Sequence, residues 1–151
     1  MQVELSLSEA VGPRIPEPRA AVSSSGLERW AAAAAGATEA CLVLDSDGVI
    51  VAASPDCCAM LGLGDPLAAR GRQLRDAVFR LIDFGPARGE LDEAEADKIP
   101  PLLAAKHGQL ARGLMRLECP ETKAACTMDA IASPLWEGSA LVGSITFFSR
   151  V

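Results

Sequence analysis

The chain has 151 residues, a net charge of −6 and an isoelectric point near 4.8, enough for one domain that buries its own core and too little for a second beside it. It holds no apolar run of about eighteen residues, no basic start leading into an apolar segment and no cluster of Lys or Arg. These absences argue against a spanning helix, a secretory leader and direct nucleic-acid binding, and a soluble cytoplasmic protein is expected. Five cysteines, at positions 41, 57, 58, 119 and 126, form no C-x-x-C pair, so they read as small buried apolar side chains in a reducing compartment rather than as a disulfide framework or zinc site.

Residues 1–26 form an N-terminal tail in two parts. Val3, Leu5 and Leu7 alternate with Gln2, Glu4, Ser6 and Ser8, the period of a half-buried strand, and Pro13, Pro16 and Pro18 then forbid regular structure. Such a tethered strand suits a sheet edge, in its own subunit or in a partner's; a disordered tail is the alternative. Ser25 and Glu28 have the spacing of a capping box and open a flanking helix over 27–37, with Leu27, Trp30, Ala31 and Ala34 on one stripe.

Residues 38–151 follow as one folding unit. Cys41 to Leu44 read as a strand, Asp47-Gly48 supplies the positive φ of a two-residue hairpin turn, and Val49 to Ala53 returns. Ser54 before Pro55 is an N-cap with proline in the first helical position, and Gly62 ends that helix. Asp65-Pro66 opens a second short helix that ends near Gly71; Leu74, Val78, Leu81 and Ile82, with Phe79 beside them, form the apolar face of a third. The acidic stretch Glu90 to Asp97 is a solvated loop or loose helix without the ligand order of a calcium site. Pro100-Pro101 starts a helix anchored by Leu102 and Leu103 and closed by Gly108.

The next hairpin can be paired by its pattern. With Pro120 to Lys123 as a turn, Leu117 faces Cys126, Met115 faces Met128 and Gly113 faces Ala130, while Glu118, Arg116, Arg112 and Leu114 fall on the other side. A slip of one residue would mix the two sets, so the separation of core and wet faces fixes the register. A turn at Trp136 to Ser139 and a last strand from Leu141 to Phe148 complete five strands, two before the short helices and three after: an α+β fold with an antiparallel sheet.

The segment from Cys41 to Leu74 resembles the opening of a PAS domain, with Asp45, Gly48, Ser54, Gly62 and Gly71 at the pattern positions, and ASPLWEGSALVGSITFFS (132–149) resembles its last two strands. The resemblance covers roughly residues 38 to 149. Ser54 stands where PAS domains usually carry Asn, and the Asp-x-Thr that follows their final strand has no counterpart before Val151. It implies a PAS-like five-stranded antiparallel sheet with short helices on one face and an N-terminal flanking helix, and a stand-alone adaptor or a piece of a longer regulator.

Chemistry finds little support. His107, the single histidine, sits on a helix end beside Gly108 and not on a helix face turned to a pocket, so haem ligation is not indicated; no Asn-Cys-Arg-Phe motif supports a flavin photosensor. No G-x-S-x-G, G-x-G-x-x-G or P-loop pattern is present, and neither catalytic nor metal residues are assigned. Cys57 and Cys58, near a helix start, are candidates for a redox-sensing thiol or for plain core filling, and adjacent positions should face different ways. The candidate ligand pocket is lined by Cys58, Leu61, Val78, Phe79, Ile82, Met115, Leu117, Met128 and Ala130, with Ala52, Gly113 and Ala132 facing the same interior. It holds either a small apolar ligand or nothing but packed side chains. Since the helix before the first strand often packs across a dimer interface in PAS proteins, Leu27, Trp30, Ala31 and Ala34 are the expected contact of a homodimer, with covering of the chain's own sheet as the alternative for Trp30. The expected function is a sensory and signalling domain acting on an effector domain or protein partner, with a purely structural dimerisation module and a cysteine redox sensor as alternatives.

Overall fold

A computed structural model describes residues 25–77, 97–118 and 122–151. Helix α1 (Gly26–Ala35) begins at the capping box: the Ser25 hydroxyl accepts the Glu28 N–H at 3.0 Å, and the Glu28 carboxylate accepts the Ser25 N–H at 3.3 Å. Two orphan donors of the first turn are thereby satisfied, and a run of alanines carries the helix to Gly36. Strands β1 (Cys41–Asp45) and β2 (Ile50–Ala53) form the first hairpin. Three short helices follow, α2 (Pro55–Leu61), α3 (Pro66–Ala69) and α4 (Leu74–Ala77). Helix α5 (Pro100–His107) then leads into β3 (Ala111–Glu118), β4 (Ala125–Glu137) and β5 (Ala140–Arg150).

The five strands make one antiparallel sheet in the order β2-β1-β5-β4-β3, the PAS-like α+β architecture that the sequence implies. The β3–β4 register is the one the polar pattern dictates: Met115 opposite Met128, Leu117 opposite Cys126, Gly113 opposite Ala130 and Leu114 opposite Asp129. Each face of the sheet carries an apolar cluster. The larger joins Leu42, Leu44, Met115, Leu117, Met128, Ala130 and Phe148 to residues of α2, α4 and α5. The smaller, on the opposite face, joins Cys41, Val43, Ala52, Leu135 and Ile145 to Leu27, Ala31 and Ala34 of α1. Gly143 allows β5 to approach β1: a Cβ there would lie 1.9 Å from the Leu44 carbonyl oxygen, so no other residue fits.

Several local expectations need correction. The first hairpin turns through three residues, since Asp45 and Val49 pair across it and Gly48 alone takes positive φ (83°); this is a type I turn closed by a left-handed glycine. The Asp45 carboxylate accepts the Asp47 and Val49 N–H groups and fixes that shape. Strand β4 runs on through Trp136 and Glu137, leaving only Gly138-Ser139 for the last turn, and β5 extends from Ala140 to Arg150. Ala52 belongs to the α1 side of the sheet, because the register shifts between Val43 and Leu44 and a bulge changes which face a side chain meets. Val78, Phe79, Leu81, Ile82, the stretch Glu90 to Ala96, Cys119 and the tail strand at 3–7 lie outside the described residues.

Candidate functional site

The main core is the site that the fold builds. Of the nine candidate pocket residues, six come together in one cluster: Cys58 and Leu61 from α2, Met115 and Leu117 from β3, and Met128 and Ala130 from β4. Val78, Phe79 and Ile82 lie outside the described residues. Into the same side of the sheet β5 sends Ser144, Thr146 and Phe148, and both hydroxyls are fully buried. The Ser144 hydroxyl donates to the Pro101 carbonyl at 3.1 Å and so ties β5 to the start of α5. Thr146 Oγ1 has no hydrogen-bond partner among the described residues. An uncompensated hydroxyl is costly in an apolar interior, and Thr146, flanked by Leu42 and Ala132 on the neighbouring strands, is the polar group that sequence reading missed. A Thr in an apolar strand looks like any β-branched strand former; only its register directs it inward.

Ser54 organises the junction between the two faces. Its hydroxyl accepts the Cys41 N–H at 3.0 Å and the Cys57 N–H at 3.2 Å and donates to the Glu39 carbonyl at 2.7 Å. One fully buried side chain thus caps α2, starts β1 and holds the connection from α1. Around it lie three buried thiols. Both Cys57 and Cys58 belong to the main core, against the expectation that neighbours on a helix face apart: α2 is sunk deeply enough for two adjacent positions to be covered. Burial pushes the Cys57 thiol far above its ordinary range, with the neighbouring Cys58 and Cys41 adding to the effect. Burial likewise raises Cys58, with Asp65 contributing, and it raises Cys41 against an opposing hydrogen bond from Ser54. A helix start does not yield thiolates where water is excluded.

Helix α1 rests on the other face. Ala34 is buried there, Leu27 and Ala31 are half-buried, and Trp30 is 47% exposed. So three of the four positions expected at a subunit contact turn toward the chain's own sheet, and Trp30 is the one directed away from it. The Glu137 carboxylate accepts the N–H groups of Gly26 and Leu27 and anchors the positive end of the α1 dipole to the β4–β5 turn. A groove of about 290 Å³ separates α1 from α3, walled by Ala31, Ala32, Ala35, Pro66 and Leu67. Beyond α1 the same face of the sheet is open: Leu114, Ile131 and Phe147 are 51%, 44% and 44% exposed, and Ile131 lies directly across from Phe147. The Arg112–Asp129 ion pair (2.8 Å) crosses this surface and, through that hydrogen bond first, holds the Asp129 carboxyl below its usual range.

His107 is exposed on the last turn of α5, next to the left-handed Gly108. No group of three or more His, Cys, Asp and Glu side chains among the described residues is placed to hold a metal ion, and no described helix is long and apolar enough to cross a membrane.

No family model matches the sequence, and no curated protein matches it. Solved structures do share the architecture. The PAS domain of a protein from Colwellia psychrerythraea is 15% identical, with a TM-score of 0.56 over 83% of this chain and 96% of that one. A LOV protein of Rhodobacter sphaeroides is 18% identical, with a TM-score of 0.57 over 82% of this chain and 66% of that one. The VqmA dimer of Vibrio cholerae, described as a LuxR-type receptor that shifts conformation in the absence of target DNA, is 15% identical, with a TM-score of 0.57; the match covers 85% of this chain and 52% of that one. The likeness at these identities is one of fold, and the fold of this chain is PAS-like.

Proposed function

We propose that the chain is a sensory and regulatory domain that works as a homodimer, does no chemistry of its own, and passes the state of its core to an effector domain or signalling partner. The observation that carries this reading is the alternation along β5: Thr146 and Phe148 face the main core, and Ile145 beside them packs under α1. A strand cannot shift on one face without shifting on the other. A molecule in the core that displaces β5 therefore changes the seat of α1, and a ligand that fits one arrangement better selects it. The Thr146 hydroxyl, without a hydrogen-bond partner among the described residues, favours a small, mostly apolar ligand with one hydrogen-bonding group. The dimer forms through what α1 leaves open, with Trp30 and the exposed Leu114, Ile131 and Phe147 as its contacts. Similarity of fold to a dimeric receptor that changes conformation supports the arrangement.

A second reading, a structural dimerisation module with a filled core, is favoured by the complete burial of Leu42, Leu44, Leu61, Met115 and Met128. A cysteine redox sensor is disfavoured by the burial of Cys57 and Cys58. Native mass spectrometry of gently purified protein tests the proposal. A dimer that retains a small molecule, lost on Thr146→Val with the dimer intact, is expected. A dimer with no retained mass would leave the filled-core module, and a monomer at every concentration would remove the dimer.

A further inference from the structure

The groove between α1 and α3 has two unlike ends, and the sheet fixes which is which. Its floor is Val51 to Ala53 of β2. The Gly71 N–H donates to the Ile50 carbonyl at 2.8 Å, so Arg70, the residue before it, stands at the Ile50 end of that strand. The first turn of α1 stands at the same end. Gly26 and Leu27 are held there by Glu137, and the β4–β5 turn that carries Glu137 lies next to the Gly143–Asp45 pair, at the hairpin end of β1 and β2. The last turn of α1 lies at the opposite end, where the Cys41 thiol donates to the Ala34 carbonyl at 3.7 Å and the Ser54 N–H donates to the Cys41 carbonyl. Glu28 and Arg70 therefore share one mouth of the groove, while alanines, Pro66 and Leu67 wall the rest.

Both charges at that mouth are open to a ligand. The Glu28 carboxylate gives Oε1 to the Ser25 N–H and keeps Oε2, and no ion pair joins Glu28 to Arg70 among the described residues. A carboxylate and a guanidinium at the mouth of an apolar trough call for a head group that carries both charges, an ammonium for the one and a carboxylate for the other. We propose that the groove binds a free α-amino acid with an apolar side chain, of the size of leucine, methionine or phenylalanine, with its ammonium on Glu28, its carboxylate on Arg70 and its side chain along Ala32, Ala35 and Leu67. A peptide terminus supplies only one of the two charges. A fatty acid supplies only the carboxylate and would leave Glu28 facing a like charge. The volume, about 290 Å³, sits at the lower end of the ~300–1,000 Å³ typical of ligand sites, room for one amino acid and too little for a nucleotide or a lipid. The site lies outside the core and stands whatever the core holds.

Calorimetric titration of the full-length chain with L-leucine, L-methionine and L-phenylalanine tests this. Saturable binding is expected, and isocaproate or isoamylamine, which each keep one charge of leucine, should bind about tenfold more weakly or worse. Glu28→Gln retains the capping box and Arg70→Gln changes an exposed side chain, so each should melt like the wild type and lose affinity by about tenfold or more. Ala32→Leu, which fills the trough from an exposed helix position, should abolish binding. Failure of all these amino acids to bind at millimolar concentration overturns the proposal, and so does a one-charge analogue that binds as tightly as leucine. Binding that survives Ala32→Leu but is lost in Thr146→Val places the amino acid in the core and overturns the groove as its site.

Discussion

Ser54→Ala removes three hydrogen bonds from one buried atom, at 2.7, 3.0 and 3.2 Å. Loss of an N-cap hydroxyl costs about 1 kcal/mol. The Cys41 N–H, buried and deprived of its acceptor, adds about 2 kcal/mol, the usual penalty of an unsatisfied buried donor. The Glu39 carbonyl adds little, because Glu39 is exposed and water replaces the hydroxyl. The total is about 3 kcal/mol, a large part of the ~5–15 kcal/mol that holds a domain together. Urea unfolding reads this as a midpoint lowered by about 1.5 M at an unchanged slope of ~2 kcal/mol/M, and thermal unfolding as a fall of about 6–12 °C. Ser46→Ala, on the exposed part of the first turn, is the control and should stay within ~0.5 kcal/mol. A Ser54→Ala loss below ~1 kcal/mol would mean that the hydroxyl is only a helix cap, and the idea that it joins α1, β1 and α2 would fall.

Gly143→Ala forces a Cβ to within 1.9 Å of the Leu44 carbonyl oxygen, a backbone atom that cannot yield without parting β1 from β5. A loss of about 4 kcal/mol or more is expected, whereas Gly36→Ala, with open space around it and ordinary φ, should be neutral or slightly stabilising; thermal melts of both decide, and a Gly143→Ala melt close to wild type would contradict the β1–β5 contact. Because burial raises Cys57 above its ordinary 9.0, the folded state holds that proton more tightly than the unfolded one. Its contribution is fully present below the unfolded value and is lost as pH rises through the folded one, so the urea midpoint should begin to fall above about pH 9, and Cys57→Ser should flatten the fall. Alkylation of Cys57 and Cys58 at neutral pH should follow global unfolding; rapid labelling of native protein would restore the redox-sensor alternative.

Much of the fold is legible because its rules are local. Ser25–Glu28, Ser54-Pro55 and Asp65-Pro66 each mark a helix start through their own hydrogen-bonding capacity, and the β3–β4 register follows from keeping Met115, Leu117, Met128 and Ala130 on one side. What the sequence hides depends on a third partner. Ala52 changes face through a bulge set by how β1 meets it, the second cysteine of the Cys57-Cys58 pair is buried by the depth of α2, and β4 and β5 run to a two-residue turn because each strand supplies the other's hydrogen bonds. Thr146 is silent in the sequence for the same reason: its inward direction follows from pairing with Leu42 and Ala132, neither of which is near it in the chain.

On the proposed sensory reading, the coupling of core to flanking helix is energetically modest, as a switch requires. Helix α1 is seated by Ala34, by half-buried Leu27 and Ala31, and by the Glu137 carboxylate on its first N–H groups. Burial of a few small side chains is worth about 1–3 kcal/mol, and coupling energies between sites in proteins are commonly ~1–3 kcal/mol. On the same reading, an Ala-rich helix is held firmly enough to adopt one position and weakly enough for a shift of β5 to offer another. Larger side chains at Ala31 and Ala34 would bury more, but they would also fix the helix beyond the reach of the proposed ligand, so in this proposal the alanines that look uninformative as sequence set the energy scale of the response.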